Sequence, residues 1–267
     1  MTFFTLVAVG LLRPSEGMPA ARAAAQRATD LDASIKDAHA VSAIVVGLYG
    51  RDWHQAQRRF GAALEEPIPS SVRFHYATWY LSPLGRHAEA LAQLHRGLAD
   101  DPLYLLGRVQ VGMELCSLGQ QAAGLAELER VLDMDSGFGP ALGLLGREYA
   151  IAGRVDDALA LADRTFGAIP RHPNAVGFLA GMLRRTGHDE EARQLLESFD
   201  DTWSVSRAHA ESAIACGEFE TAVESLKAAT NDGDPGVWLL FTGTAGNRLR
   251  SAENWPALRA KLNLPQS

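Results

Sequence analysis

Small and apolar residues recur along this chain at a fixed interval of 34 residues, with a last interval of 30. At each step a glycine is followed five residues later by an alanine or a second glycine, and usually four residues after that by another apolar residue. The repeated positions are Gly85, Ala90 and Leu94; Gly119, Gly124 and Leu128; Gly153, Ala158 and Ala162; Gly187, Ala192 and Leu196; and Gly217 with Ala222. Residues four apart share one face of a helix. The pattern therefore predicts a series of helices that each follow a glycine turn and bury one face.

A second set of small residues indicates that these helices pack in pairs. Gly112, Gly146 and Ala180 recur at the same interval in the segment before each turn. Antiparallel helices pack with roughly 8–10 Å between their axes, and the shortest distances require Gly or Ala where they cross. Pro102 and Pro170 mark the ends of units, because proline cannot extend a helix. Each interval is thus predicted to hold one helix–turn–helix pair.

A helix–turn–helix unit of this length resembles the tetratricopeptide (TPR) repeat. The resemblance implies an all-α fold, a right-handed α-solenoid of about seven TPR units that ends in a C-terminal capping segment. We place the units at 1–33, 34–69, 70–103, 104–137, 138–171, 172–201 and 202–235, and the cap at 236–267. The tail departs from the period but is apolar, as expected of a segment that covers the last helix face. The turn at 50–52 is out of phase with the others and is expected to be irregular.

The composition is that of a soluble globular chain, with 47% hydrophobic and 21% charged residues among 267. A formal net charge of −7 argues against a non-specific nucleic-acid or anionic-membrane surface, because both need an excess of basic residues. Cys116 and Cys216 lie three repeats apart, too far for a disulfide. We expect both to be buried small residues in a reducing compartment, which favours a cytoplasmic location.

The apolar run at residues 2–12 differs from a signal peptide, since no basic segment precedes it and Arg13 follows it. It is also too short to span a bilayer. We interpret it as a first helix that faces the core, and we expect no membrane contact.

Three stretches carry a narrower resemblance, namely 18–32, 37–40 and 249–265. They resemble the TPR arrays that lie C-terminal to bacterial winged-helix regulators, adenylate-cyclase-like domains and Ser/Thr kinase domains. In the last stretch Trp255 replaces the usual Phe of that family, and Glu253-Asn254 replaces the usual Asp-Pro. The resemblance implies a bacterial signalling context.

Those relatives carry an effector domain upstream, whereas this sequence opens on Met1-Thr2. It is therefore either a free-standing array or a piece of a longer protein. In either case an apolar N-terminal edge is expected to be covered, for example by self-association with a second copy. The residues of this edge are Phe3, Phe4, Leu6 and Val7.

The TPR resemblance also implies a concave groove lined by the first helix of each unit. Groove positions recur one repeat apart, so the repeat interval locates them in this sequence. One row consists of His75, Val109, Gly143, Gly177 and Arg207, and a second row of Trp79, Met113, Arg147, Gly181 and Glu211. Arg184 and Arg185 lie near the lip of the groove. The candidate groove residues are His75, Trp79, Met113, Arg147, Arg184, Arg185 and Arg207.

Our hypothesis is an extended or helical peptide in this groove. Its apolar anchor would meet Trp79 and Met113, and its acidic groups would meet the arginines, which suit bidentate pairing. Alternatively, Trp79 and Met113 pack between helices and the arginines are simply solvated. The paired Lys and Asn of a chaperone-tail clamp are missing from these positions, so binding of chaperone tails is not expected.

Signals for an enzyme, a cofactor or a metal are weak. The histidines are scattered and none forms an HExxH motif, and the calcium-loop-like stretch at 133–137 has Leu144 where a Glu is required. We therefore expect a non-catalytic scaffold or adaptor, without cofactor, that binds a protein or peptide partner in its groove. One alternative is a sensory or regulatory arm that binds a small ligand or an intramolecular partner. Another is an enzyme whose site has no recognisable motif.

Overall fold

Consecutive helices pack against each other in pairs along the whole chain. The structure is a computed structural model that describes residues 2–199 and 203–265, without the side chain of Thr2. The pairs are α1 (Thr2–Ala8) with α2 (Pro14–Leu31), α3 (Lys36–Ile44) with α4 (Trp53–Ala63), α5 (Ser70–Tyr76) with α6 (His87–Asp100), α7 (Leu105–Ser117) with α8 (Gln121–Met134), α9 (Gly139–Ile151) with α10 (Val155–Ala168), α11 (Pro173–Arg185) with α12 (Asp189–Glu197), and α13 (Val205–Cys216) with α14 (Phe219–Asn231). A 3-10 helix (Pro235–Phe241), α15 (Gly243–Arg250) and α16 (Trp255–Lys261) follow. No strand occurs in the described ranges, so the predicted all-α repeat fold is confirmed.

The glycine turns have a common backbone geometry. Gly85, Gly119, Gly153, Gly187 and Gly217 all have a positive φ of 74–85°. At Gly153, for example, the amide of Arg154 donates to the carbonyl of Tyr149, and the glycine amide donates to Ala150. This is the Schellman arrangement that ends a helix, and it needs the left-handed conformation that glycine adopts without strain. Glycine therefore ends the first helix of these five pairs.

The small residues at the helix crossings let backbones touch. A Cβ atom added to Gly112 would lie 2.9 Å from the carbonyl oxygen of Gly124. One added to Gly124 would lie 2.4 Å from Sγ of Cys116. Both cysteines are free; Cys116 is buried as expected, but Cys216 is only half-buried. Close helix packing thus leaves no room for any side chain larger than hydrogen at these two glycines.

Two first helices end in a wider, π-helical turn, at Val45–Tyr49 after α3 and at Ala77–Leu81 after α5. The turn after the first of these is irregular, because Arg51 rather than a glycine takes the positive φ, of 56°. The second π turn carries Trp79, and it inserts an extra residue into the helix at the inner face of the array.

The C-terminal segment does more than cover the last helix pair. α16 packs on α14, but α15 packs on α7 and α9, and the 3-10 helix contacts α1. Its backbone is held by side chains of the array: Ser117 Oγ accepts from the amide of Gly243 at 2.7 Å, and Glu148 Oε1 accepts from that of Thr244 at 2.9 Å. The segment therefore runs back through the concave side of the solenoid and joins its two ends.

The N-terminal edge is largely covered by the chain itself. Phe4 is buried and meets Trp79 edge to face at 4.9 Å, and Val7 is buried too. Phe3 remains 42% exposed and Leu6 is half-buried. Self-association through this edge stays a prediction. The apolar surface available for it is smaller than expected, because only Phe3 and Leu6 remain partly exposed. Among the described residues, no helix combines the length and the apolar character needed to cross a membrane.

Candidate functional site

A cavity of about 350 Å³ remains inside the concave groove. Its walls come from the first helices α5, α7, α9, α11 and α13, from α1, from the 3-10 helix and, at Thr165, from α10. Most of the wall is aromatic or aliphatic; the aromatic members are Phe4, Phe74, Trp79, Tyr104 and Phe178. Pockets of about 300–1,000 Å³ with apolar walls and few polar groups are typical of small-molecule sites.

Glycines shape this cavity in two opposite ways. Gly143 lines it, and a Cβ atom there would meet only Thr165, at 3.2 Å. Gly177 and Gly181 do not leave open space, because an added Cβ atom would lie 2.1 Å from the carbonyl oxygen of Ala208 and 2.5 Å from that of Ser212, respectively. Gly177 and Gly181 therefore let α13 pack directly against α11, whereas Gly143 lies at the cavity.

The seven candidate groove residues fall into two groups in the structure, those that line the cavity and those that do not. Three line the cavity together: His75 and Trp79 from the α5 region, and Arg147 from α9. Met113 is fully buried beneath the C-terminal segment, where a Cβ atom on Gly243 would lie 2.4 Å from its Cε. Three of the predicted groove residues thus line the space that remains, and their contact with a partner stays a prediction.

The other three arginines make contacts within the chain. Arg184 forms two hydrogen bonds with Glu218, at 2.8 and 3.2 Å. Arg185 donates to the backbone carbonyls of Ala150 and Ala215, which ties α11 to the ends of α9 and α13. Arg207 is fully buried, outside the cavity lining. Arg185 and Arg207 are thus engaged within the chain, whereas the side chain of Arg184 remains 35% exposed.

Four buried charged residues form what we call the buried charge cluster: Arg147, Arg207, Glu211 and Asp234. Arg147 and Glu211 line the cavity, and Arg207 and Asp234 lie behind its wall. Arg147 Nη1 lies 3.4 Å from Glu211 Oε2, and Arg207 Nε lies 3.1 Å from Asp234 Oδ2. Arg207 also donates from Nη1 to the carbonyl of Ala8, at 2.8 Å. The charges balance when all four are ionised. Burial raises the pKa of both Glu211 and Asp234, against the opposing effect of the arginines.

Two histidines at the cavity are held neutral. Burial lowers the pKa of His75 to about 4, and burial together with the positive charge of Arg207 lowers that of His172 to about 3. His172 Nδ1 accepts from the amide of Asn174 at 3.2 Å. Of the described side chains that line the cavity, Arg147 is therefore the cation at neutral pH. Within the described ranges no group of three or more His, Cys, Asp or Glu residues could hold a metal ion.

Sequence reasoning missed the walls supplied by the two ends of the chain. Phe4 and Thr5 come from α1, and Leu239 and Thr242 come from the 3-10 helix and its end. These residues lie outside the 34-residue phase that located the groove positions. The apolar run at 237–241, where the period fails, was the available signal that this segment lies inside the array.

No family model matches the chain, and no curated protein matches it in sequence. Three solved structures are similar in fold. PilW, a type IV pilus biogenesis factor, is 22% identical, with 69% of this chain and 86% of that chain covered and a TM-score of 0.56. A tetratricopeptide repeat protein from Parabacteroides merdae is 13% identical, with 98% and 95% covered and a TM-score of 0.56. A chain in the Cut9–Hcn1 hetero-tetramer of APC/C is 16% identical, with 93% of this chain and 48% of that chain covered and a TM-score of 0.54.

These comparisons concern the fold. The chain has the helical-repeat fold of TPR proteins, as predicted. The narrower resemblance to the arrays of winged-helix, cyclase-like and kinase-linked proteins receives no support from them.

Proposed function

We propose that this chain is a non-catalytic TPR scaffold of the sensory kind, which binds a small apolar ligand in its internal cavity and presents its closed form to a partner protein. The observation that carries the proposal is the origin of the cavity walls. They come from α1 and the 3-10 helix, which lie near opposite ends of the chain, and from five of the first helices between them, α5, α7, α9, α11 and α13. A ligand in the cavity would contact all of these elements and so favour the closed arrangement.

A long peptide in the groove fits this geometry less well. The 3-10 helix and α15, which lie in the groove, bury several large side chains: Trp238, Leu240, Phe241 and Leu249. Burial of each such side chain contributes about 1.5–3 kcal/mol. A competing peptide would have to replace all of that stabilisation. The internal space that remains has the size of a small molecule or of one or two side chains.

Binding of the fluorescent dye 1-anilinonaphthalene-8-sulfonate to the native protein tests this function. The expected result is saturable binding with a 1:1 ratio and quenching of tryptophan emission, because Trp79 lines the cavity. Thr78→Phe should abolish it by filling the space, since Thr78 is a half-buried wall residue. Gln120→Phe, at an exposed turn, is the matched control. Equal dye binding by both variants would locate the dye elsewhere and overturn the proposal.

A peptide adaptor is the second candidate function, and the cavity rim favours it. Leu106 lines the cavity and is 45% exposed, and Leu239 is half-buried. One apolar side chain of a partner could enter there without displacing the C-terminal segment. Leu106→Asp should then abolish binding of the partner but leave dye binding intact. A cytoplasmic location and the absence of nucleic-acid binding belong to the same proposal, supported by the free cysteines and the net charge, respectively. A bacterial signalling context is also part of it and rests on the narrower sequence resemblance alone.

A further inference from the structure

We infer that the cavity accepts a small monocarboxylic acid with an apolar tail, and that Arg147 binds its carboxylate. This inference rests on the proposed function, because it names the chemistry of the ligand for the same cavity. It follows from the hydrogen bonding of one side chain and from the direction in which the cavity extends.

Arg147 is a buried cation with unused donors. Its side chain is 1% exposed, and its single hydrogen bond is the long one from Nη1 to Glu211. Nε and Nη2 have no hydrogen-bond partner among the described residues. A guanidinium stays protonated in proteins, so its N–H groups need acceptors. Leaving such donors unpaired in a buried site is costly.

The two unused nitrogens have the geometry that a carboxylate requires. Nε and Nη2 form one edge of the planar guanidinium, and two parallel N–H groups on one edge bind the two oxygens of a carboxylate together. Glu211 approaches from the other side, at Nη1.

The apolar end of the cavity lies along α9. Pro140, Gly143, Leu144 and Arg147 all line it, at the three- and four-residue spacing that places side chains on one helix face. From residue 140 to residue 147 the helix rises about 10 Å. The site thus has one cationic end and an apolar wall long enough for a chain of about eight carbons.

The charge balance of the buried charge cluster is compatible with an acidic ligand. The buried charge cluster is neutral before a ligand enters, so an added carboxylate needs compensation. Burial raises the pKa of Glu211, which makes its protonation easier than that of an exposed carboxyl. With Glu211 protonated, the carboxylate of the ligand takes over its charge and the cluster remains neutral.

Isothermal titration of the full chain with octanoate, and with 1-octanol as the uncharged probe of equal chain length, tests the inference. We expect octanoate to bind at least about tenfold more tightly than octanol, the difference being the charged hydrogen bonds to Arg147. Arg147→Met should remove this preference, and Arg147→Lys should weaken it, because lysine lacks the two-nitrogen edge. Arg96→Met, at an exposed arginine, is the matched control and should change nothing. Glu211→Gln should bind octanoate at least as tightly as the unchanged protein.

The outcomes separate this inference from the proposed function. Equal affinity for the two probes, or weaker octanoate binding by Glu211→Gln, would overturn the carboxylate site while the cavity still binds apolar ligands. If neither probe binds but the dye does, the inference fails alone. If no probe binds at all, both fail. Should Arg147→Met not fold, the octanoate-to-octanol ratio in the Arg147→Lys and Glu211→Gln variants decides the question.

Discussion

The indole Nε1 of Trp53 donates a hydrogen bond to the backbone carbonyl of Leu262, at 3.1 Å, across 209 residues of sequence. Asn263 returns a hydrogen bond from its side chain to the carbonyl of Arg51, at 2.9 Å. Together with the contact between Arg207 and Ala8, these bonds tie the C-terminal segment to the second helix pair and the seventh pair to the first. The array is therefore joined end to end, unlike a solenoid in which each unit contacts only its neighbours.

Trp53→Phe should lower the free energy of unfolding by about 1–3 kcal/mol, because a buried carbonyl loses its donor while most of the ring packing remains. Urea denaturation followed by circular dichroism measures the change. Trp203→Phe, which replaces an indole that is only half-buried, is the reference variant. An unfolding midpoint equal to that of the unchanged protein would show that the tie between Trp53 and Leu262 does not contribute.

Gly124→Ala should destabilise the protein by about 1–3 kcal/mol through overpacking. The new methyl group would lie 2.4 Å from Sγ of Cys116 and 2.6 Å from the carbonyl oxygen of Gly112. Gly61→Ala is the opposite case, since no atom lies within 4 Å of a Cβ atom there and the residue is inside α4. It should stabilise by about 0.5–1 kcal/mol through helix propensity. Thermal melts of the two variants should therefore shift in opposite directions, and shifts of the same sign would contradict the crossing geometry.

The pair Arg207–Asp234 should show strong coupling. Removing one partner, as in Arg207→Met or Asp234→Asn, leaves the other charge buried without compensation and should cost about 3–5 kcal/mol. The double variant should cost clearly less than the sum of the two single changes. A double-mutant cycle in urea provides the measurement. Additive costs would mean that the two groups are solvated in solution.

Stability should fall as the pH is lowered from about 6.5. The folded-state pKa values of His75 and His172, about 4 and about 3, lie below the ordinary value of 6.5, so the unfolded chain binds more protons in this window. Each histidine then contributes a loss of about 1.4 kcal/mol per pH unit, and the full contribution is present above pH 6.5. His172→Gln should flatten the dependence of the unfolding free energy between pH 7 and pH 5. An unchanged slope would show that His172 is solvated.

The two cysteines should differ in reactivity. Burial raises the pKa of Cys116 to about 12, and the thiolate is the reactive form. Burial also raises the pKa of Cys216, but that thiol is half-buried and donates to the carbonyl of Gly181 at 3.3 Å. Iodoacetamide at pH 8 should modify Cys216 first and leave Cys116 protected until the protein unfolds. Mass spectrometry of peptides after timed labelling gives the order, and early labelling of Cys116 would contradict its burial between α7 and α8.

The local features of the fold were predictable because they repeat. A glycine such as Gly153 marks each turn through its left-handed backbone, and Gly112 with Gly124 marks a crossing through its lack of a side chain. The left-handed turn and the close helix crossing each involve residues near one another in sequence. Because both features recur in successive helix pairs, their small residues recur at a regular interval along the sequence. The same phase placed His75, Trp79 and Arg147 on the inner face, and the structure brings these three together.

The occupant of the groove could not be predicted in this way. The contacts from Trp53 to Leu262 and from Arg207 to Ala8 occur once each, between residues about 200 positions apart, and therefore have no periodic signature. The sequence by itself determined the paired helices, their turns and the face that each buries, because those depend on local backbone and spacing. Only the tertiary structure decided that the C-terminal segment enters the groove and leaves a cavity lined by Arg147 with unpaired donors, because that depends on where the two ends of the chain meet.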